Sequence, residues 1–255
     1  EVLETLERRT GAFRLRTKMF DWGSDRYKRT GTMMPADGLE ELARSDAILL
    51  GAVGDLRVPD HVTLHGLLLP IRRRFDQYLC LRPVRLLPGI TSPLRDATPG
   101  SIDLLIVREN TEGEYADVGG RLYQGTGEEV ALQTNVFTRR GCRRIIEAAF
   151  DAATRRRGHV TSITKSNAQA YGMVLWDEVF REVASLHPGI ETRSLLVDAA
   201  AMDLVRRPAS FDVIVGSNLF GDILSDLAAA VVGGLGLTPS ANIDPSRKWP
   251  SMFEP

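Results

Sequence analysis

The chain has 255 residues, 43% of them apolar and 25% charged, with 32 lysines and arginines against 33 aspartates and glutamates. That length allows one large or two modest domains with a real core. A formal net charge of -1 excludes the broad basic surface that nucleic-acid or membrane binding requires. The two cysteines, Cys80 and Cys142, have neither metal-ligand spacing nor a disulfide framework, which fits a reduced, cytoplasmic setting. The sequence starts without Met inside a helical pattern and stops at Met252-Phe253-Glu254-Pro255, so it reads as a fragment cut at both ends.

Glu1 to Arg9 has the periodicity of an amphipathic helix ending near Gly11. Phe13, Leu15, Thr17 and Met19 alternate with Arg14, Arg16 and Lys18, the pattern of a strand with one wet face. Asp21 to Thr32 has turn composition, and Pro35 opens a short helix carrying Leu39 and Leu42. Ala47 to Leu50 reads as a buried strand running into the loop Gly51-Ala52-Val53-Gly54, a position where open α/β sheets bind ligands. Pro83 and Pro88 suit a sheet edge or crossover rather than a sheet interior. Ser92 to Ser101 is the best linker candidate of the first half.

Ile102 to Val107 is a buried strand that delivers Arg108, Glu109 and Asn110 at its C-terminal end. The glycine-punctuated, extended segment from Tyr115 to Val136 reads as a projecting hairpin arm. Phe137 to Arg157 is the clearest helix, followed by a strand at His159 to Ile163, a helix at Val174 to Ala184 and a strand at Ser194 to Val197. Phe211 to Val215 precedes a helix carrying Asp222 and Asp226, and Thr238 to Pro255 reads as irregular. Strands alternating with helices mean an α/β protein with a largely parallel sheet.

The chemistry gathers around Ser217 to Asp226, SNLFGDILSD. Asp222 and Asp226 are four apart, so both carboxylates leave one helix face and repel unless a positive charge lies between them. A hard divalent cation, Mg2+ or Mn2+, supplies that charge most simply; a solvated acidic helix face is the plain alternative. Arg108, Lys165 and Asp198 fall at the ends of apolar runs, where α/β folds place active sites. Asp198, Asp222 and Asp226 can supply metal oxygens, Arg72, Arg82 and Arg108 can grip carboxylates, and Lys165 and Tyr115 can move protons. A cation beside arginines suits a polyanion, either an organic di- or tricarboxylate or a phosphate. His61 and His65 have zinc-like spacing without a third ligand and read as structural, as Cys80 reads as core. No G-x-S-x-G elbow, Walker loop or G-x-G-x-x-G fingerprint occurs.

The runs RRRFDQYLCLRP, IVRENTEGEY, TKSNAQAYGMVLWDE and SNLFGDILSD resemble, in this order, the metal-dependent β-decarboxylating dehydrogenases of the isocitrate/isopropylmalate family. FDWGSDRY, VGGRLYQGTGEEVALQ and NIDPSRKWPSMFEP are most similar to its tartrate and D-malate branch. The resemblance implies an isopropylmalate dehydrogenase-like two-domain open α/β sandwich without a G-x-G-x-x-G Rossmann site. It places a discontinuous first domain at residues 1–77 and 233–255, and a second at 78–232 with a dimerisation arm at about 116–136.

It further implies oxidation, with β-decarboxylation, of a 2-hydroxy dicarboxylate such as D-malate or tartrate by NAD and Mg2+ or Mn2+. Asp222 and Asp226, with Asp198 of the other subunit of a homodimer, would hold the metal. Lys165, Tyr115 and Asp198 would be catalytic, Arg72, Arg82 and Arg108 would bind substrate, and Asn167 with Gly51, Ala52 and Val53 would lie at the cofactor. The family's opening strand with its glycine loop and an adenosine-binding segment are missing, which leaves this chain short of much of a dinucleotide site. His65 stands where tartrate-type relatives carry Trp, and Ala168 to Gly172 replaces a Gly-Ile-Ser-rich stretch. Isopropylmalate or isocitrate specificity, a catalytically silent dimer, and a generic phosphate-binding module are the alternatives.

Overall fold

The computed structural model describes residues 1–254. In chain order it contains α1 (Val2–Thr10), α2 (Ser24–Thr30), α3 (Gly38–Leu42), β1 (Ala47–Leu49), α4 (Asp60–Thr63), α5 (Leu69–Arg74), β2 (Leu79–Arg85), β3 (Asp103–Glu109), β4 (Gly113–Leu122) and β5 (Val130–Val136). These are followed by α6 (Arg139–Ala153), β6 (His159–Thr164), α7 (Gly172–Ser185), β7 (Glu191–Leu196), α8 (Val197–Arg206), β8 (Val213–Gly216), α9 (Asn218–Val231), β9 (Ser240–Ile243) and β10 (Ser251–Glu254). A π-helical turn, Leu64–Leu68, joins α4 to α5. No helix among the described residues is long and apolar enough to cross a membrane.

Contacts divide the chain into two compact units, one of Glu1–Ala36 with Val53–Leu67 and one of Asp37–Ala52 with Leu68–Pro255. In the first, α1 buries none of its residues, and its Val2, Leu3 and Leu6 are exposed. Residues 12–22 form no strand despite their alternation, and Met19 is 92% exposed. An alternating pattern supplies faces but no ladder partner, and a strand needs both. Ser24 to Thr30, read as turn, is helical instead: the Ser24 hydroxyl donates to the Val53 carbonyl, and Lys28 bridges Asp25 and Asp55 at 2.6 and 2.8 Å. These are contacts from distant sequence that local composition does not show.

The second unit is built on an eight-stranded sheet of order β1-β10-β9-β2-β3-β8-β6-β7. The pairs β1/β10, β3/β8, β8/β6 and β6/β7 run parallel. The pairs β10/β9, β9/β2 and β2/β3 run antiparallel. β9 and β10 lie in the tail that reads as irregular. Each is four residues long, and the Pro- and Ser-rich composition belongs to the turn between them. The turn is held by the Asp244 carboxylate, which accepts from the Ser246 N–H at 2.9 Å, the Ser246 hydroxyl at 2.6 Å and the Trp249 N–H at 3.0 Å.

Pro83 lies inside β2, paired with Leu105 of β3, but β9 reaches only Leu81. The proline therefore occupies the part of the strand that has one neighbour. Ser92 to Ser101 lies within the loop between β2 and β3, inside the second unit rather than between the two units. The core around this sheet is filled by α6, whose Ile145, Ile146, Ala149, Phe150 and Ala153 are fully buried, and by Trp176 of α7, whose indole N–H donates to Ser162 Oγ at 2.9 Å. β4 and β5 form a separate two-stranded sheet, the hairpin arm expected from its glycines.

Asp244→Ala removes three hydrogen bonds at a carboxylate only 3% exposed. The change is expected to lower unfolding free energy by about 1–3 kcal/mol in urea titration. An unchanged midpoint would show that the turn does not hold β9 and β10 in place.

Candidate functional site

Two of the expected arginines, Arg82 and Arg108, and two of the expected aspartates come together where β2, β3 and α9 meet. Arg82 belongs to β2 and Arg108 to β3, two strands paired antiparallel with Cys80 opposite Arg108. α9 starts one residue after β8: Ser217 is its N-cap, accepting from the Phe220 N–H at 3.4 Å. Its period then brings Asp222 and Asp226 to one face.

The positive charge between these two carboxylates belongs to arginine. Arg82 reaches Asp222 at 3.4 Å and Asp226 at 3.3 Å, and donates to Ser225 Oγ at 2.6 Å. Arg108 pairs with Asp222 and, through Nη2 and Nε, donates twice to Asn218 Oδ1, at 2.7 and 3.2 Å. Arg108 is 2% exposed, and its burial pushes the guanidinium down from its ordinary value, with the Asp222 charge opposing. The helix comes this close because residue 221 is glycine: a Cβ there would lie 2.7 Å from both Cβ and Cγ of Arg108.

Tyr115, near the base of β4, donates its hydroxyl to Asp222 Oδ2 at 3.1 Å. Burial, and then the charge of Asp222, raise its pKa, so the phenol keeps its proton at neutral pH. Arg72, at the end of α5, is 5% exposed and lies 3.5 Å from Glu254. The buried Nε atoms of Arg72 and Arg82 have no acceptor. Buried donors of this kind are costly alone, and an ordered water or an anion can satisfy them.

The other expected residues stand apart from this group. Lys165 follows β6 and pairs with Asp198, in the first turn of α8, at 2.5 Å; that hydrogen bond holds the Asp198 carboxyl below its usual range. Asn167 is exposed in the turn after Lys165. Gly51 and Ala52 are exposed beyond β1, and Val53 is half-buried. His61 and His65 are exposed, and both cysteines are buried free thiols. No group of three or more His, Cys, Asp or Glu that could hold a metal occurs among the described residues. The donor chemistry still fits a hard cation, because Asp222 and Asp226 offer oxygens on one face, with further oxygens to come from substrate, water or a second chain.

Sequence reasoning missed Asn218, Ser225 and Glu114, which touch the arginines or the start of α9. Asn218 and Ser225 lie inside the motif but carry no charge to attract notice. Glu114 lies beside Tyr115 in a run of acids where none stands out.

Asp226 is half-exposed, and burial followed by the neighbouring Asp222 raises its carboxyl pKa, against Arg82 and Arg108. A raised folded-state pKa means that the native protein holds this proton more tightly than the unfolded chain does, so its ionised form costs stability. Asp226→Asn is therefore expected to raise the melting temperature at pH 7 in chelator. The gain should vanish as pH falls below about 4, where both chains carry a neutral group. A lower melting temperature at pH 7 would contradict this.

Residues 1–255 match the isocitrate/isopropylmalate dehydrogenase family. Over its full length the chain is 55% identical to a probable tartrate dehydrogenase/decarboxylase of Agrobacterium vitis, covering 72% of that protein. It is 50% identical to the decarboxylating D-malate dehydrogenase of Escherichia coli strain K12, covering 71% of it. The crystal structure of isocitrate dehydrogenase from Methylococcus capsulatus superposes with a TM-score of 0.85 at 34% identity, over 98% of this chain and 71% of that one.

Proposed function

This chain belongs to the isocitrate/isopropylmalate dehydrogenase family, and on that premise we propose that it oxidises and β-decarboxylates a 2-hydroxy dicarboxylate of the D-malate or tartrate type, with NAD+ and Mg2+ or Mn2+. The observation that carries the reading is Arg82 and Arg108 set against Asp222 and Asp226, with unpaired Nε atoms on Arg82 and on the buried Arg72. Such a group takes a small dianion together with a hard cation. Similarity to the tartrate and D-malate enzymes supports the substrate class.

Arg72, Arg82 and Arg108 hold the two substrate carboxylates, fixing the 2-hydroxyl next to Asp222 and Asp226, which would hold the metal. Bound there, the cation would supply Lewis acidity toward the 2-oxygen, and NAD+ would supply the hydride acceptor. Lys165, paired with Asp198, helps to deprotonate the hydroxyl by holding its positive charge beside the developing alkoxide. These two belong to the second copy in a homodimer, so each site is shared, and the second copy's Asp198 adds a further carboxylate oxygen. After CO2 leaves, Tyr115 returns a proton to the substrate carbon, a role suited to a phenol that stays protonated.

The test is NADH formation with Mn2+ or Mg2+ on D-malate, the tartrate stereoisomers, 3-isopropylmalate and isocitrate, with NADP+ as the alternative acceptor. D-malate or a tartrate should turn over, chelator should abolish activity, and Asp222→Asn should lower kcat/KM roughly 100-fold or more. Metal-independent turnover, or silence on every acid from folded protein, would refute the assignment.

A further inference from the structure

The segment Glu112 to Tyr115 lies against the first turn of α9 through contacts that involve neither a cation nor a substrate. Asn218 Nδ2 donates to the Glu112 carbonyl at 3.0 Å. Gly113, at φ 80, brings its backbone so near that a Cβ on it would lie 3.4 Å from Asn218 Cβ. Glu114, only 7% exposed, accepts the Ser217 hydroxyl on Oε1 at 2.7 Å and the Leu219 N–H on Oε2 at 3.1 Å. One carboxylate thus takes a donor from the N-cap and another from the first turn, at the positive end of the helix.

The next residue is Tyr115, whose hydroxyl reaches Asp222, three residues beyond Leu219. Consecutive side chains of a regular strand point to opposite faces, yet both Glu114 and Tyr115 reach α9. The strand permits this because its pairing register with β5 shifts between Gly113 and Val118, an irregularity of the kind that re-aims side chains. The Tyr115 carbonyl is tied in turn by Arg73 at 2.6 Å.

We propose that Glu114 is a positioning residue for the reaction: its carboxylate fixes the start of α9 on β4 so that Tyr115 and Asp222 keep their mutual geometry. The inference rests on the role given to Tyr115 above. A helix cap alone would stabilise the protein and leave turnover per folded molecule untouched. A positioning carboxylate acts through the phenol, so its removal costs kcat and spares the arginine contacts that set KM.

The experiment is a double-mutant cycle of Glu114→Gln with Tyr115→Phe, with Ser217→Ala replacing Glu114→Gln should the glutamine variant fail to fold. Glutamine keeps the shape but cannot accept both donors with charged oxygens. In the wild-type background kcat should fall about 10- to 100-fold with KM changed less than about twofold. In the Tyr115→Phe background the same change should cost less than about twofold. Equal losses in both backgrounds, or an unchanged kcat, would overturn the proposal.

A second readout uses 13C-labelled tyrosine. The Tyr115 ring resonance, identified by its disappearance in Tyr115→Phe, should move in Glu114→Gln, and an unmoved resonance would overturn the positioning role. Because this readout needs no substrate, it tests whether Glu114 sets the surroundings of Tyr115 even if none of the hydroxy acids is turned over.

Discussion

Two carboxylates one helical turn apart set the problem that this part of the molecule is built to solve. Asp222 and Asp226 leave α9 on the same side, where like charges one turn apart repel. Arg82 stands between them and Arg108 against the first of them. The strand positions of both arginines, the glycine at 221 and the N-cap at Ser217 can each be understood as conditions for bringing that helix to those guanidinium groups. The arrangement is poor as a stability device, since burying charge costs several kcal/mol per ion before any pairing is regained. On the function proposed above, its value is a site already charged and oriented, so that little rearrangement remains when ligands arrive.

The acids of RENTEGEY extend the same principle. Glu109 accepts from the Thr111 N–H and hydroxyl and from the Glu112 N–H, shaping the turn that follows Arg108. Glu112 accepts from the Thr138 N–H and hydroxyl at the start of α6, and Glu114 does the equivalent for α9. Three carboxylates in six residues thus join one strand end to itself and to the starts of two helices. Burial raises the Glu109 carboxyl from its ordinary value, and its local donors work against that rise.

The sequence made the repeating elements legible and left the irregular ones obscure, for a physical reason. α6 and the arm announced themselves because periodicity and glycine spacing are local properties. Arg82, Arg108, Asp222 and Asp226 could be named because charge at a strand end or on a helix face is visible in one dimension. What the two carboxylates meet could not be read in the same way: that Arg82 bridges them depends on the register of β2 against β3. The failures share this cause. Phe13 to Met19 alternates like a strand and joins no sheet, whereas Ser240 to Ile243 shows no pattern and becomes a strand because β2 and β10 flank it. Asp198 and Lys165 were found as residues, but the contact that unites them is with each other rather than with the α9 carboxylates.

The placement of β9 and β10 sets the order in which this molecule can be assembled. β1, at residues 47–49, has β10, at 251–253, as its partner, and β2 gains its second neighbour only when residues 241–243 arrive. During synthesis the half of the sheet made of β3, β8, β6 and β7 can close as soon as β8 emerges, while β1 waits with an open edge for some two hundred residues of chain. Long-range closure of this kind slows folding and leaves strand edges uncovered meanwhile. The segment 240–254 thus supplies both the neighbour that β1 has in the sheet and the second neighbour of β2.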